Sequence, residues 1–154
     1  MAPKVVALLV ARCASLCLCA AAFACSVRAP DVSFTPFVFL ESVLFLELLW
    51  NGPRILYDAA QVLFQVPLPP QHMALSALVA AEWVAMLELF AAAWSSGAVV
   101  VFLEIDIRAC EWVPAGACSH WHRASAALAM VAWFFSGIVS ILMFWIRACV
   151  AHQD

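Results

Sequence analysis

Charge is what this chain has least of. Asp, Glu, Lys and Arg together make 11% of its 154 residues, and they form neither a basic nor an acidic run. With 68% hydrophobic residues and so few charges, the chain cannot cover itself with polar surface in water, which excludes a soluble globular protein. The net charge is −3 and no Lys/Arg cluster exists, so the electrostatic footprint of a nucleic-acid binder is missing. Glycine is also scarce, at four residues, and no Gly-rich loop that could cradle a phosphate is present. His72, His120, His122 and His152 fall in expected loops or in the tail, and no nucleophile stands at recognisable spacing from a base. An enzyme is therefore the weakest class, and no cofactor is expected.

Long apolar runs are what the sequence does have. Four occur, Val5 to Ser26, Pro36 to Phe64, Ala74 to Phe102 and Ala124 to Ala148. At a helical rise of about 1.5 Å per residue, each reaches across the roughly 30 Å hydrocarbon core of a bilayer. The connections are short, so the expected fold is all-α: one domain over residues 1–154, a four-helix transmembrane bundle running antiparallel, up and down, with the lipid bilayer as its first partner. The opening run also resembles a secretory signal, with Lys4 before it and Ala22-Phe23-Ala24 as a cleavage site. Its 22 residues exceed a usual signal core and Arg12 interrupts it, which favours an uncleaved helix.

The third run is the one around which the others are organised, because it carries Glu82 and Glu88 inside 29 almost wholly apolar residues. A carboxylate at such depth costs about 2.5 to 3.5 kcal/mol unless it finds a partner, a cavity or a proton. If the first and third runs start on the same side, Arg12 lies about 10.5 Å past Val5 and Glu82 about 12 Å past Ala74, in one leaflet and nearly level. The expectation is an intramembrane ion pair, Arg12 with Glu82, each relieving the other's desolvation. Glu47, at about 14 Å from that side, is the rival partner for Arg12, and separate solvation or protonation of the two charges is the alternative. Acids outnumber bases, so at least one of Glu41, Glu47 and Glu88 should be neutral or face a cavity.

The second run is the least regular. Pro36 suits a first helical turn, and Asn51-Gly52-Pro53 should kink the helix. Arg54 and Asp58, about 27 and 33 Å along the axis from Pro36, are expected near the far interface, where an Arg snorkels and neither needs a special role. Small residues recur at four-residue spacing in Ala81/Ala85, Ala92/Ser96 and Ala93/Gly97 of the third run and in Ala132, Ser136 and Ser140 of the fourth. Such faces serve either packing within one molecule or self-association. Trp112, Trp121 and Trp145 stand near run ends as interfacial anchors.

Seven cysteines divide by location. Cys13, Cys17, Cys19 and Cys25 read as small hydrophobes, and Cys149, beside Arg147 at a membrane boundary, is a candidate for palmitoylation. Cys110 and Cys118 share the sizeable loop from Leu103 to Arg123. If that loop is extracellular, a disulfide between them would stabilise it by about 2.5 kcal/mol on the chain-entropy model. The competing reading is a metal site from Cys110, Cys118, His120 and His122, although paired cysteines at close spacing are absent, and the disulfide is preferred. Charge bias leaves the orientation tied, with Lys4, Arg54 and Arg147 on one side against Arg28, Arg108 and Arg123 on the other.

Several short motifs, in this order and spacing, carry a family resemblance: Phe34-Thr35-Pro36-Phe37, Leu49-Trp50, Asp58, Glu82-Trp83-Val84 with Ala91-Ala92-Ala93, Cys110 and Cys118, and Ala132-Trp133-Phe134. Over nearly its whole length the chain resembles the plant and algal Casparian strip membrane domain proteins and their CASP-like relatives, themselves akin to the four-span MARVEL domain. The family's first-span Arg falls on Arg12, and its third-span acid, usually Asp, falls on Glu82. The resemblance implies a multi-pass plasma-membrane protein with both termini cytosolic, forming homo-oligomers and hetero-oligomers with related four-span proteins. It also implies a platform that gathers cell-wall-modifying enzymes, although the first outer loop, Val27 to Thr35, is short for that role. Two functions follow, a non-catalytic scaffold and, as the alternative, a small ion, proton or solute transporter using Glu41, Glu47, Glu82 and Glu88 as a relay.

Overall fold

The computed structural model describes residues 2–29, 35–64, 72–106 and 120–151. Four helices hold nearly all of these: α1 (Ala2–Arg28), α2 (Thr35–Phe64), α3 (His72–Val101) and α4 (His120–Ala151). The protein is all-α among the described residues, and α1 and α4 extend a few residues past both ends of their apolar runs, while α2 and α3 match theirs to within two residues. A π-helical turn, Phe102–Asp106, prolongs α3. The connection expected from Leu103 to Arg123 thus loses both ends to helix, and Cys110 and Cys118 lie outside the described residues. α1, α3 and α4 are long and apolar enough to cross a membrane, and the protein is a membrane protein. α2 has the same reach but carries Glu41, Glu47, Arg54 and Asp58 within it.

The helices form because a backbone crossing lipid must satisfy its own N–H and C=O groups, and on each helix one stripe of residues at three- and four-residue spacing turns inward. On α1 the stripe is Leu8, Ala11, Ser15, Cys19 and Ala22; on α3 it is Val79, Met86, Leu89 and Ala93; on α4 it is Ala129, Ala132, Val139 and Met143. Pro36 sits in the first turn of α2, where its missing N–H costs nothing, whereas Pro53 is accommodated without ending the helix. α1 closes as the Ala29 amide donates to the Cys25 and Ser26 carbonyls, at 3.1 and 3.0 Å, with Arg28 in the last turn favourably placed against the helix dipole.

Neighbouring helices run antiparallel, as bonds between their opposite ends show. Ser125 near the start of α4 donates to the Ala22 carbonyl late in α1 at 2.9 Å, and Ser96 late in α3 donates to the Pro36 carbonyl at the start of α2 at 2.9 Å. Around the bundle the order is α1, α2, α3, α4, with α1 closest to α4 and with α1 and α3 on a diagonal. Ala132, Ser136 and Ser140 are all buried inside this one molecule, as are Ala92, Ala93 and Ser96. These small-residue faces therefore serve packing within the bundle. Ala81, Ala85 and Gly97 among them are half-buried.

At Gly97 an added Cβ would meet the terminal carbon of Met130 at 2.6 Å, the far end of a flexible side chain. Met130 can give way, and replacing a helical glycine gains about 1 kcal/mol of backbone stability. We expect Gly97→Ala to change stability by less than about 1 kcal/mol in a thermal melt.

Candidate functional site

Two apolar clusters fill the bundle, one around Cys19, Leu40, Leu44, Leu89 and Ala129, the other around Leu8, Val79, Val139 and Met143. Between them lies a layer of buried charge. Arg12 on α1 is fully buried (0% exposed), and its Nη1 donates to Glu82 Oε1 on α3 at 2.7 Å and to Asn51 Oδ1 on α2 at 3.2 Å. Its Nε lies 2.9 Å from Asp58 Oδ2, off the N–H direction, so this contact is an ion pair rather than a hydrogen bond. Arg54 Nη1 reaches the same Glu82 oxygen at 2.5 Å, and its guanidinium covers the Trp50 ring at 5.1 Å. Asn51 passes the network on, its Nδ2 donating to Glu47 Oε2 at 2.6 Å. On the α4 side, Ser140 donates to the Glu82 carbonyl at 3.4 Å and to the Ser136 carbonyl at 3.0 Å.

The structure brings together Arg12 and Glu82 across the diagonal. It does not leave Arg54 and Asp58 as spectators. The expectation that both idle at an interface is overturned, because α2 turns them onto the bundle axis, where Asp58 meets Arg12 and Arg54 meets Glu82. Glu47 contacts Asn51 rather than Arg12, and Asn51 joins them. Glu41 is half-buried and Glu88 exposed on the outer face, and neither enters the layer. Two cations thus meet two anions, Glu82 and Asp58, with Glu47 as a surplus acid at their edge. Such a layer stays folded because each charge is paired, and breaking one pair leaves the other charge stranded in lipid.

The histidines differ from their expected places. His120 and His122 belong to the first turn of α4, and His122 is buried, its ring stacked on Phe37 at 4.2 Å and 19°. It holds α2 and α4 together. The sulfur half of the competing metal reading, like the expected disulfide, falls on residues outside those described. Trp121 packs under the Arg28 guanidinium at 5.7 Å, and Trp145 is exposed on the outer wall, while Trp112 is outside the described residues. Arg123 pairs with Glu104, tying the π-helical turn to α4.

The sequence compares with known proteins as follows. No family model matches, and no solved structure matches. Among curated proteins, CASP-like protein 5B1 of Oryza sativa is 32% identical over 135 residues, covering 88% of this chain and 84% of that protein. CASP-like protein 5A1 of Selaginella moellendorffii is 31% identical over 134 residues, covering 82% of this chain and 73% of the relative. The chain belongs to the CASP-like family. CASP-like protein 5A1 of Picea sitchensis is similar over a longer stretch, 30% identical over 140 residues.

In this CASP-like chain the charged layer is flanked by two cavities. One, of about 370 Å³, opens between α2 and α3 and is lined by Val43, Leu46, Glu47, Trp50, Ala81, Val84, Ala85 and Glu88. The other, of about 330 Å³, lies toward the end where α1 starts and reaches Arg54, Tyr57, Asp58 and Gln61. Chemically, the CASP-like layer offers carboxylates and guanidinium groups locked against each other and one carboxyl, Glu47, with its Oε1 lacking a hydrogen-bond partner among the described residues. The described residues contain no grouping of three His, Cys, Asp or Glu able to hold a metal ion.

Proposed function

We propose that this CASP-like protein is a non-catalytic, multi-pass plasma-membrane scaffold, with both termini cytoplasmic, that self-associates and joins related four-span proteins. The observation that carries this reading is the charged layer itself. Arg12, Arg54, Asp58 and Glu82 are tied to one another from three helices, with Ser140 adding the fourth, which suits a rigid unit rather than a moving carrier. Rigid bundles with apolar outer walls, here including Phe45, Leu49, Leu87, Phe134 and Phe144, suit lateral assembly in lipid. Its interior small-residue faces being occupied, assembly would use these outer walls. Partners would include cell-wall-modifying enzymes gathered at the assembly. Proximity labelling from the intact protein in the plasma membrane tests this, with related four-span proteins and wall-modifying enzymes expected among the enriched neighbours. Enrichment no greater than for an unrelated four-span control would sink it.

The two cavities on either side of the charged layer favour a second reading, proton or small-solute passage by way of Asp58, Glu82, Glu47 and Glu88. The fixed guanidinium charges of Arg12 and Arg54 stand in that path and oppose a cation. For reconstituted proteoliposomes we expect proton flux no greater than that of protein-free vesicles. Robust flux that disappears in Glu47→Gln or Glu88→Gln would replace the scaffold reading with transport.

A further inference from the structure

The cavity between α2 and α3 has a chemical character that assembly does not use. Glu47 is 3% exposed and lines this cavity, and its buried Oε1 has no hydrogen-bond partner among the described residues. Glu88 stands on the opposite wall, from α3. Along their helices both lie near mid-membrane, with Glu47 about 18 Å from the start of α2 and Glu88 about 20 Å from the end of α3. Val43, Val84 and Ala85 make much of the remaining surface apolar, with Trp50 also in the lining. A space of about 370 Å³ with an apolar wall and convergent polar groups has the dimensions of a small-ligand site.

Charge decides what could fill it. The layer's two guanidinium groups are already matched by Glu82 and Asp58, so Glu47 and Glu88 face the cavity as two acids without a cation of their own. A second copy of this chain cannot supply one. Of its seven Lys and Arg residues, those at least partly buried within the helices among the described residues are Arg12 and Arg54, both engaged inside their own bundle. A lipid headgroup amine sits at the interface, too shallow to reach mid-membrane. We propose that the α2–α3 cavity binds a lipophilic primary amine, its ammonium between Glu47 and Glu88 and its alkyl chain against Val43, Val84 and Ala85. A primary ammonium brings three N–H donors and one positive charge, which is what two carboxyl groups in lipid lack.

The test uses the full chain in phosphatidylcholine nanodiscs and radiolabelled n-octylamine, with empty nanodiscs subtracted for partitioning. Saturable binding of one octylamine per chain is expected, weakened at least tenfold by Glu88→Gln and by Ala85→Leu, which fills the wall. Glu41→Gln, an acid outside the cavity, should leave it unchanged. Octanol, with the same chain and no charge, should not compete. Glu88 is exposed, so its variant keeps the fold, and a thermal melt identical to the parent's will show this; Glu47→Gln is read beside it as the buried half of the site. Absence of saturable binding, equal loss in Glu41→Gln, or competition by octanol would each overturn the proposal. So would cysteines placed at positions 84 and 88 cross-linking between copies with octylamine failing to block them, which would assign the cavity to a second copy.

Discussion

Replacing Arg12 with Leu, or Glu82 with Leu, is expected to cost about 3 to 5 kcal/mol of stability, whereas the double replacement should cost at least about 2 kcal/mol less than the sum. The reason lies in what each change leaves behind. Arg12→Leu removes the partner of Asp58 and the donor to Asn51 Oδ1. Glu82→Leu takes from both Arg12 and Arg54 the oxygen they share. Each single change therefore leaves the layer with a net charge in a medium that solvates none. The double change leaves Arg54 and Asp58, opposite in sign and one helical turn apart on α2, where they can face each other. Reversible unfolding in mixed micelles measures all four species, and strictly additive losses would show that Arg12 and Glu82 do not interact.

The second large effect concerns a residue that depth alone assigns to the interface. Asp58→Leu should cost roughly 3 kcal/mol, because Arg12 Nε then faces hydrocarbon, and Asp58→Asn should cost less, since the amide keeps the volume and a carbonyl dipole beside the guanidinium while losing the charge. Tyr57→Leu is the control. It lies one position away but points outward, 45% exposed, and should change stability by under about 0.5 kcal/mol in the same melts. Equal losses at positions 57 and 58 would return Asp58 to the interface.

Arg12 and Glu82 were legible in the sequence because a helix is a ruler, and two charges at matched depths in runs of the same direction have few other places to go. The same ruler, laid from the other end of α2, finds Asp58 six residues before Phe64, about 9 Å in, level with Arg12. Measured from Pro36, the same residue lies about 33 Å along the axis. A second signal was also present: Glu47, Asn51, Arg54, Asp58 and Gln61 follow one another at intervals of four, three, four and three residues, a polar stripe continuing the inward stripe of Leu40 and Leu44. Reading α2 by face rather than by depth would have placed all five toward the bundle. Two further features could not be reached this way. That Ala132, Ser136 and Ser140 pack inward follows from which helices are neighbours, and that His122 stacks on Phe37 follows from how far α4 extends past its apolar run. Both are tertiary facts, invisible to a one-dimensional pattern.

The diagonal reach of Arg12 also imposes an order on biogenesis. A ribosome releases α1 first, so this guanidinium enters the membrane while Asp58 and Glu82 have yet to be made. Until then its relief is to bend toward the nearer headgroups, holding the first helix short of its final position. α2 delivers Asp58 and a first hold on that charge, and α3 delivers Glu82 together with the claim of Arg54 upon it. Nascent chains halted before residue 82 are thus expected to hold α1 only loosely in lipid, with the arrival of α3 supplying the contact that fixes it.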